Sequence, residues 1–159
     1  MPDQSEANRK GAVMLVKDAL SERSEIIVVV GPDEPVASVA KSLRDKKKGL
    51  AVVCAGGTDL LGLISVIDIS RAVADHEGDA PAMPASAIMN TSVTTGTMQD
   101  SVDQALGMMA EHNIRYLPVL DDGKIAAVTS LRELLQARNR EAEVSIDEMR
   151  KYVLGGGYG

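Results

Sequence analysis

Ser65 and Asp68 are the residues whose types and spacing are best suited to chemistry. They follow the apolar run Leu60–Ile64, where a short buried strand is expected to end and a helix to begin. A hydroxyl and a carboxylate at this place lie beside the free backbone N–H groups and the positive end of the helix dipole. Together they can hold a diol or an anion. The same pair is also an ordinary helix start, with Ser as the N-cap and Asp in the first turn.

Other residue types that catalyse reactions or bind metals are few and scattered. His76 and His112 fall near the ends of predicted helices, without a Cys, His, Asp or Glu companion at metal-ligand spacing. The glycine-rich tail, Gly155–Gly159, lacks the lysine and the following helix of a phosphate-binding loop. The sequence shows no nucleophile–base pair. It therefore predicts no catalytic residue and no metal site.

The pattern around Ser65 recurs in the second half of the chain. Ser130 and Glu133 stand 65 residues after Ser65 and Asp68. An apolar helical stripe also recurs, at a separation of 66 residues: Val36, Val39, Ala40 and Leu43, then Val102, Ala105, Leu106 and Met109. Each half is predicted to run lead-in, β, α, β, β, α. A periodicity this complete indicates an internal duplication.

Six short strands are expected to form the sheets. They are Ile26–Val30, Leu50–Ala55 and Leu60–Ile64, then Val93–Thr95, Tyr116–Leu120 and Ile125–Thr129. The first is β-branched throughout, so we expect it to be buried on both faces. The lead-in, Ala12–Leu20, is expected to pack onto the strand that follows it. The lysine run Lys46–Lys48 before Gly49 is typical of a solvated helix end.

The predicted fold is an α/β chain of two tandem repeats. A unit of roughly 60 residues can scarcely bury its sheet alone, so the two copies should pack about a pseudo-two-fold axis with clefts at the seam. The expected divisions are a flexible N-terminus (1–11), the first repeat (12–77), a linker (78–84), the second repeat (85–144), and a short helix with a glycine-rich tail (145–159). The short helix is predicted from Ile146, Met149, Tyr152 and Val153.

Composition excludes several classes of function. The 159 residues carry a net charge of -6 and include no Trp, no Phe and three Tyr, which argues against nucleic-acid binding. The apolar runs are far shorter than the roughly 18 residues of a membrane span. The polar N-terminus shows no secretory signal. Cys54, the one cysteine, reads as a small buried hydrophobe, and we expect the protein to be cytoplasmic.

The chain resembles a tandem pair of CBS domains, named after cystathionine β-synthase, over about residues 12 to 140. The motifs are Val16–Leu20 and Gly62–Asp68 in the first half, and Ala87–Met89, Arg115–Val119 and Asp122–Ile125 in the second. Such a pair, or Bateman module, implies a non-catalytic regulator that senses an adenosine ligand. The implied ligands are AMP, ADP, ATP, NAD and S-adenosylmethionine, with no obligatory cofactor.

The resemblance also implies a set of binding residues. Ser65 and Asp68 match the family motif Gly-x-x-Ser/Thr-x-x-Asp, whose hydroxyl and carboxylate hold a ribose. Arg115 is placed to meet the phosphates, although a surface ion pair explains it equally well. The remaining implied contacts enclose the base or read its edge: Ile27, Val28, Gly49, Ala51, Tyr116 and Leu117.

The second half departs from the family motif at two positions. Ala127 occupies the glycine position and puts a Cβ where a close approach is expected. Glu133 replaces the Asp and moves the charge out by one methylene. We therefore expect the Ser65/Asp68 cleft to bind better, and the cleft of Ser130 and Glu133 to be weak, altered or empty.

Three functions remain open at this point. The first is a ligand-sensing regulator whose effector lies on another chain. The second is a ligand-free dimerisation scaffold, since the resemblance also implies a homodimer. The third, an enzyme, is disfavoured by the lack of catalytic groups. A change in melting temperature with nucleotide distinguishes the first from the second.

Overall fold

The computed structural model describes residues 13–156, which form two three-stranded sheets with flanking helices. The flexible N-terminus expected for residues 1–11 and the end of the glycine-rich tail lie outside the described residues. The first half contains α1 (Val16–Ala19), α2 (Glu22–Glu25), β1 (Val28–Val30), α3 (Val36–Lys46), β2 (Leu50–Ala55), β3 (Asp59–Ser65) and α4 (Val66–His76). A 3₁₀ helix, Glu77–Ala82, leads to α5 (Ala85–Ile88), β4 (Gly96–Thr97), α6 (Val102–Glu111), β5 (Tyr116–Asp121), β6 (Lys124–Ser130) and α7 (Leu131–Gly156).

The two sheets have the same topology. In each, the first strand pairs in parallel with the second, and the second pairs antiparallel with the third. Even the irregularities match, because the register shifts at Val53/Cys54 in β2 and at Val119/Leu120 in β5. The predicted duplication and the α/β fold class are therefore confirmed.

The sheets contact each other through a small apolar cluster at the seam. Val52 and Cys54 of β2 pack there with Ile125 of β6. At the hairpin turns, the Ile125 N–H donates to the Thr58 carbonyl at 3.2 Å, and Lys124 Nζ lies 2.7 Å from Asp59 Oδ1. Strand β2 is thus buried on both faces, between this cluster and its own helices.

The lead-in helices are exchanged between the halves. Val16 and Ala19 of α1 lie in the core of the second half, and the Val16 N–H donates to the Asp100 carbonyl at 2.8 Å. In the opposite direction, Ala85 of α5 lies in the core of the first half. The prediction that the first lead-in packs onto the strand after it was wrong. Its apolar residues complete a core formed by residues about 90 positions further along the chain.

Two strands begin later than predicted. The expected strand Ile26–Val30 shortens to Val28–Val30, because α2 ends at Glu25 and Ile26 is its C-cap. This strand is also buried on one face only, since the middle residue, Val29, is 38% exposed. In the second half, the strand expected at Val93–Thr95 is found at Gly96–Thr97.

The later start of β4 has two local causes. Asn90 forms an isolated bridge with Leu63 of β3, and its side chain accepts a hydrogen bond from the Ser92 N–H, so the chain turns there. Pairing with β5 begins only at Gly96, where a Cβ would lie 2.9 Å from Leu117 Cδ2. The strand therefore starts at a residue without a side chain.

The connections are more ordered than the sequence indicated. The linker expected at 78–84 is mostly 3₁₀ helix with Ala80 fully buried, and Pro84 bridges to Pro35. After the second sheet, α7 continues from Leu131 to Gly156 as one helix. A separate short helix starting near residue 145 was therefore wrong, because no break occurs at that point.

Candidate functional site

The main cavity lies where the N-terminal segment of the first half crosses the β6–α7 junction of the second half. Its volume is about 550 Å³. The walls are the α2 region, the end of α3, the start of β5, and the first turns of α7. The lining residues are Ser21, Arg23, Lys47, Lys48, Gly49, Arg115, Tyr116, Ser130, Leu131, Arg132, Glu133 and Gln136.

Positive charge dominates this cavity. Five cationic residues line it, against the single carboxylate of Glu133: Arg23, Lys47, Lys48, Arg115 and Arg132. The whole chain, in contrast, has a net charge of -6. Cations gathered in a concave site focus the field and favour an anionic occupant such as a phosphate group.

A smaller, more apolar slot adjoins the cavity. Its volume is about 40 Å³, and its apolar walls are Ile26, Ile27, Leu50 and Val128, with Tyr116 beside them. The tyrosine ring lies against the backbone of Gly49, since a Cβ there would meet the phenol oxygen at 2.8 Å. An apolar slot beside a charged cavity suits a ligand with a flat ring at one end and anionic groups at the other.

Glu133 connects the two halves at this cavity. It is the third residue of α7, and its N–H donates to Ser130 Oγ at 3.1 Å. Its side chain does not fold back to complete a capping box. Glu133 Oε2 instead accepts a hydrogen bond from the hydroxyl of Ser24, a fully buried residue of α2. The extra methylene of Glu lets the carboxylate reach the N-terminal segment.

The equivalent residues of the first half form a closed cap. Asp68 Oδ2 accepts from the Ser65 N–H at 2.8 Å and from the Ser65 hydroxyl at 2.9 Å, and the Asp68 N–H donates to Ser65 Oγ at 3.2 Å. Neither residue lines the cavity or the slot. The bonds seen here are those of the ordinary helix start that the spacing also predicted.

The structure brings together six of the predicted site residues. Ile27, Gly49, Arg115, Tyr116, Ser130 and Glu133 line the cavity or the adjoining slot. Three others lie in the cores instead: Val28 and Ala51 are 1% and 0% exposed in the first half, and Leu117 is 0% exposed in the second. Strand alternation explains this correction, since their side chains point to the helix-covered face.

The argument from Ala127 is also corrected. Its side chain is fully buried in the core of the second half with Leu117 and Val119. The residues that face the cavity or slot are its strand neighbours Val128 and Ser130. The methyl group of Ala127 therefore does not narrow the cleft. In the first half, the close approach at Gly62 is made by Asn90 of the same chain, whose carbonyl oxygen would lie 2.9 Å from an added Cβ.

Sequence reasoning missed most of the cationic residues. Lys47 and Lys48 belong to the run read as a solvated helix end, yet both line the cavity. Lys48 Nζ also donates to the backbone carbonyl of Arg23, which holds the N-terminal segment in place. Arg132 stands between the two motif residues Ser130 and Glu133, and this position was the available signal.

Two further groups were examined for chemistry. Burial raises the pKa of the Cys54 thiol, and the nearby Asp59 carboxylate raises it further, so this cysteine stays protonated and unreactive. Across residues 13–156, no group of His, Cys, Asp and Glu is arranged to hold a metal ion. In the same range, no helix is both long and apolar enough to cross a bilayer.

Fold and site together define a class of protein: two duplicated β-α-β-β-α units with a binding cleft at their junction. The chain belongs to the CBS domain family. The family model matches residues 16–75 and again residues 85–140, which confirms the resemblance.

Relatives of known sequence or structure agree with this assignment. The chain is 29% identical over 112 residues to a 17.7 kDa protein of Acidianus ambivalens, covering 70% of this chain and 66% of that protein. It is 26% identical over 119 residues to the CBS domain-containing protein YhcV of Bacillus subtilis, covering 75% and 81%. The crystal structure of a CBS-domain containing protein from Agrobacterium tumefaciens matches with a TM-score of 0.71 and 29% identity, covering 81% of this chain and 96% of that one.

One solved structure of the same fold contains ligands. The CBS domain pair of protein MJ0100 was crystallised with 5′-methylthioadenosine and S-adenosyl-L-methionine. It matches with a TM-score of 0.70 and 22% identity, covering 81% of this chain and 98% of that one. Adenosine ligands are thus bound by a module of this fold.

Proposed function

We propose that this protein is a non-catalytic regulatory module that binds an adenosine ligand carrying phosphate groups, in the cavity lined by Ser130 and Glu133. The observation that carries the proposal is the group of five cationic residues around one carboxylate. The adenosine part is supported by the ligands of the MJ0100 domain pair.

Charge discriminates among the five implied ligands. AMP, ADP, ATP and NAD carry one to three phosphates, whereas S-adenosylmethionine carries a sulfonium cation where a nucleotide carries its phosphates. Arg and Lys side chains bind phosphate through charge-assisted hydrogen bonds and repel a sulfonium. We therefore expect the phosphate-bearing ligands to bind more tightly, and affinity to rise from AMP to ATP.

The proposed pose uses both compartments. The base enters the apolar slot, the ribose lies near Ser130 and Glu133, and the phosphates extend toward Arg23, Lys47 and Arg132. At about 40 Å³ the slot has room for only a few water molecules, so a purine requires it to widen. Tyr116 is the side chain that must move, since it forms one wall and lies against Gly49.

The Ser65/Asp68 cleft stays a prediction. Its carboxylate is partly exposed, with 23% of the Asp68 side chain accessible, and is free to bind a ribose only if its capping bonds are exchanged. We propose it as a second, weaker site. This reverses the order expected from the sequence motif, because the cations lie at the other junction.

The regulatory role extends beyond the ligand. We propose that the module acts in the cytoplasm as a homodimer and passes its occupancy to an effector on another chain. The buried free thiol of Cys54 is compatible with that reducing compartment.

Isothermal titration with AMP, ATP, NAD and S-adenosylmethionine tests the ligand proposal. We expect saturable binding of ATP that weakens about tenfold in Arg132→Ala and in Lys47→Ala, since each removes one charge-assisted contact. Asp68→Ala is the matched control and should leave this binding unchanged. Tighter binding of S-adenosylmethionine than of ATP, or loss of ATP binding in Asp68→Ala alone, would contradict the proposed site.

A ligand-free scaffold is the second candidate function. Helix α4 favours it by exposing three large apolar residues, Val66, Ile67 and Val73, each at least half accessible. If this is the function, no nucleotide raises the melting temperature. A nucleotide sensor shows a melting temperature that rises with ligand concentration.

A further inference from the structure

The end of helix α7 extends past the part that packs on the second half. At 26 residues the helix is about 39 Å long. Leu134 and Ala137, in its first two turns, are buried in the core of the second half. Ile146 and Met149, three turns further on, are 50% and 66% exposed. The exposed portion therefore contains large apolar side chains well beyond the last core contact of the described residues.

These side chains fall on one line of the helix. Leu135, Asn139, Ala142, Ile146 and Met149 are spaced four, three, four and three residues apart. This is the alternating spacing of the d and a positions of a coiled coil. All five are exposed. Three of them are large and apolar, so the line, called here the α7 seam, is expected to pack on another helix.

We infer that the α7 seam binds the α7 seam of a second copy of this chain, as a parallel two-stranded coiled coil. Asn139 is the first reason. It occupies an a position, and in parallel pairing its amide faces the same amide of the other copy. In antiparallel pairing an a position faces a d position, and the d positions here are apolar. A single polar a residue of this kind fixes register and oligomeric state.

Charge complementarity is the second reason. With Asn139 at position a, Arg138 occupies position g and Glu143 the following position e. Parallel pairing brings position g of one helix beside the next position e of the other, so Arg138 meets Glu143 on both sides of the pair. Arg138 Nε also lies 3.6 Å from Asp103 of its own chain, an exposed contact that leaves other donors of its guanidinium available.

The position of the seam permits this pairing. Successive residues are about 100° apart around an α-helix, so Leu135 points about a quarter turn away from the buried Leu134. A second helix placed on the seam lies to one side of the module. The two-fold axis then sends the two modules to opposite sides of the pair, and neither blocks the other.

Sedimentation equilibrium measures the association. We expect Ile146→Lys with Met149→Lys to raise the dissociation constant between copies by about a hundredfold, because two apolar contacts become repulsive. Asp147→Lys adds a lysine outside the seam and should leave the constant unchanged. Circular dichroism checks that α7 stays helical. A wild-type chain that is monomeric at all concentrations, or a double variant that associates like wild type, overturns the inference.

Cysteine cross-linking tests the orientation. In a Cys54→Ala background, Ile146→Cys should form an intermolecular disulfide readily, because a positions face each other in a parallel pair. Asp147→Cys is the control and should not. Equal cross-linking of the two variants excludes the seam, and failure of Ile146→Cys in a dimeric chain indicates antiparallel pairing or an interface at α4, either of which overturns the inference.

Charge exchange tests the Arg138–Glu143 pair. Arg138→Glu should weaken association, and adding Glu143→Arg should restore it. Loss of the Asp103 contact alone predicts no restoration. These tests require no ligand, so their outcome is independent of nucleotide binding.

Discussion

Single residues decide where the two halves differ. Asp68 and Glu133 hold equivalent positions at the start of α4 and α7, yet Asp68 folds back onto its own helix while Glu133 reaches Ser24. One methylene converts a local cap into a contact between halves. The motif in the sequence identifies both carboxylates but not their partners, because Ser24 is 109 residues away from Glu133 along the chain.

Thr129 is a second residue at which the repeats differ. It is fully buried in β6, and its hydroxyl has no hydrogen-bond partner. The equivalent residue of β3, 65 positions earlier, is the buried Ile64. A buried hydroxyl without a partner costs stability that an apolar group of the same shape does not.

We predict that Thr129→Val raises the free energy of unfolding by about 1 kcal/mol, because valine keeps the shape and removes the unpaired hydroxyl. Urea denaturation should show a higher midpoint with an unchanged slope. Thr97→Val, at an exposed strand residue, is the control and should change stability by less than about 0.5 kcal/mol. A loss of stability in Thr129→Val would mean that the hydroxyl is paired in solution.

At the scale of elements, close approach of backbone explains the glycine of the first motif. Leu63 and Asn90 exchange two hydrogen bonds, of 2.9 and 2.8 Å, which hold the segment after α5 against β3. A Cβ at Gly62 would meet the Asn90 carbonyl oxygen and the Met89 side chain, each at 2.9 Å. The glycine thus serves the packing of two elements.

Gly62→Ala is therefore expected to lower the free energy of unfolding by about 1–3 kcal/mol, since the backbone of Asn90 must shift. Gly107→Ala is the matched control. Gly107 lies inside α6 with open space around it, so the same change there should raise stability by about 0.5–1 kcal/mol. Thermal or urea unfolding measures both. If Gly62→Ala is neutral, the approach of Asn90 is looser than described.

Local patterns predicted most elements, and their partners escaped prediction. The stripe of Val36, Val39 and Leu43 identified α3 and its buried face, since helical periodicity is a local signal. The clustering of Arg23 with Lys47 and Arg132 was missed, because these residues come from three separate elements. The strand at Gly96 was misplaced for a similar reason, since its start depends on Leu117 of a neighbouring strand.

At the scale of the whole molecule, the exchanged lead-in helices make each half depend on the other. Val16 completes the second core from the first half, and Ala85 completes the first core from the second. The seam cluster of Val52, Cys54 and Ile125 is shared as well. Neither half has a complete core alone, although each contains all strands of its own sheet.

We therefore predict that the two halves unfold in one cooperative transition. Calorimetry should give a single peak whose measured enthalpy equals the van't Hoff enthalpy. Val16→Ala and Val39→Ala, fully buried in the second and first cores respectively, should each shift the whole peak to lower temperature without splitting it. Scans at two protein concentrations separate this effect from pairing of copies, which makes the transition concentration-dependent. Two peaks in Val16→Ala would show that the exchanged helix is dispensable for the first half, and that the halves are independent folding units.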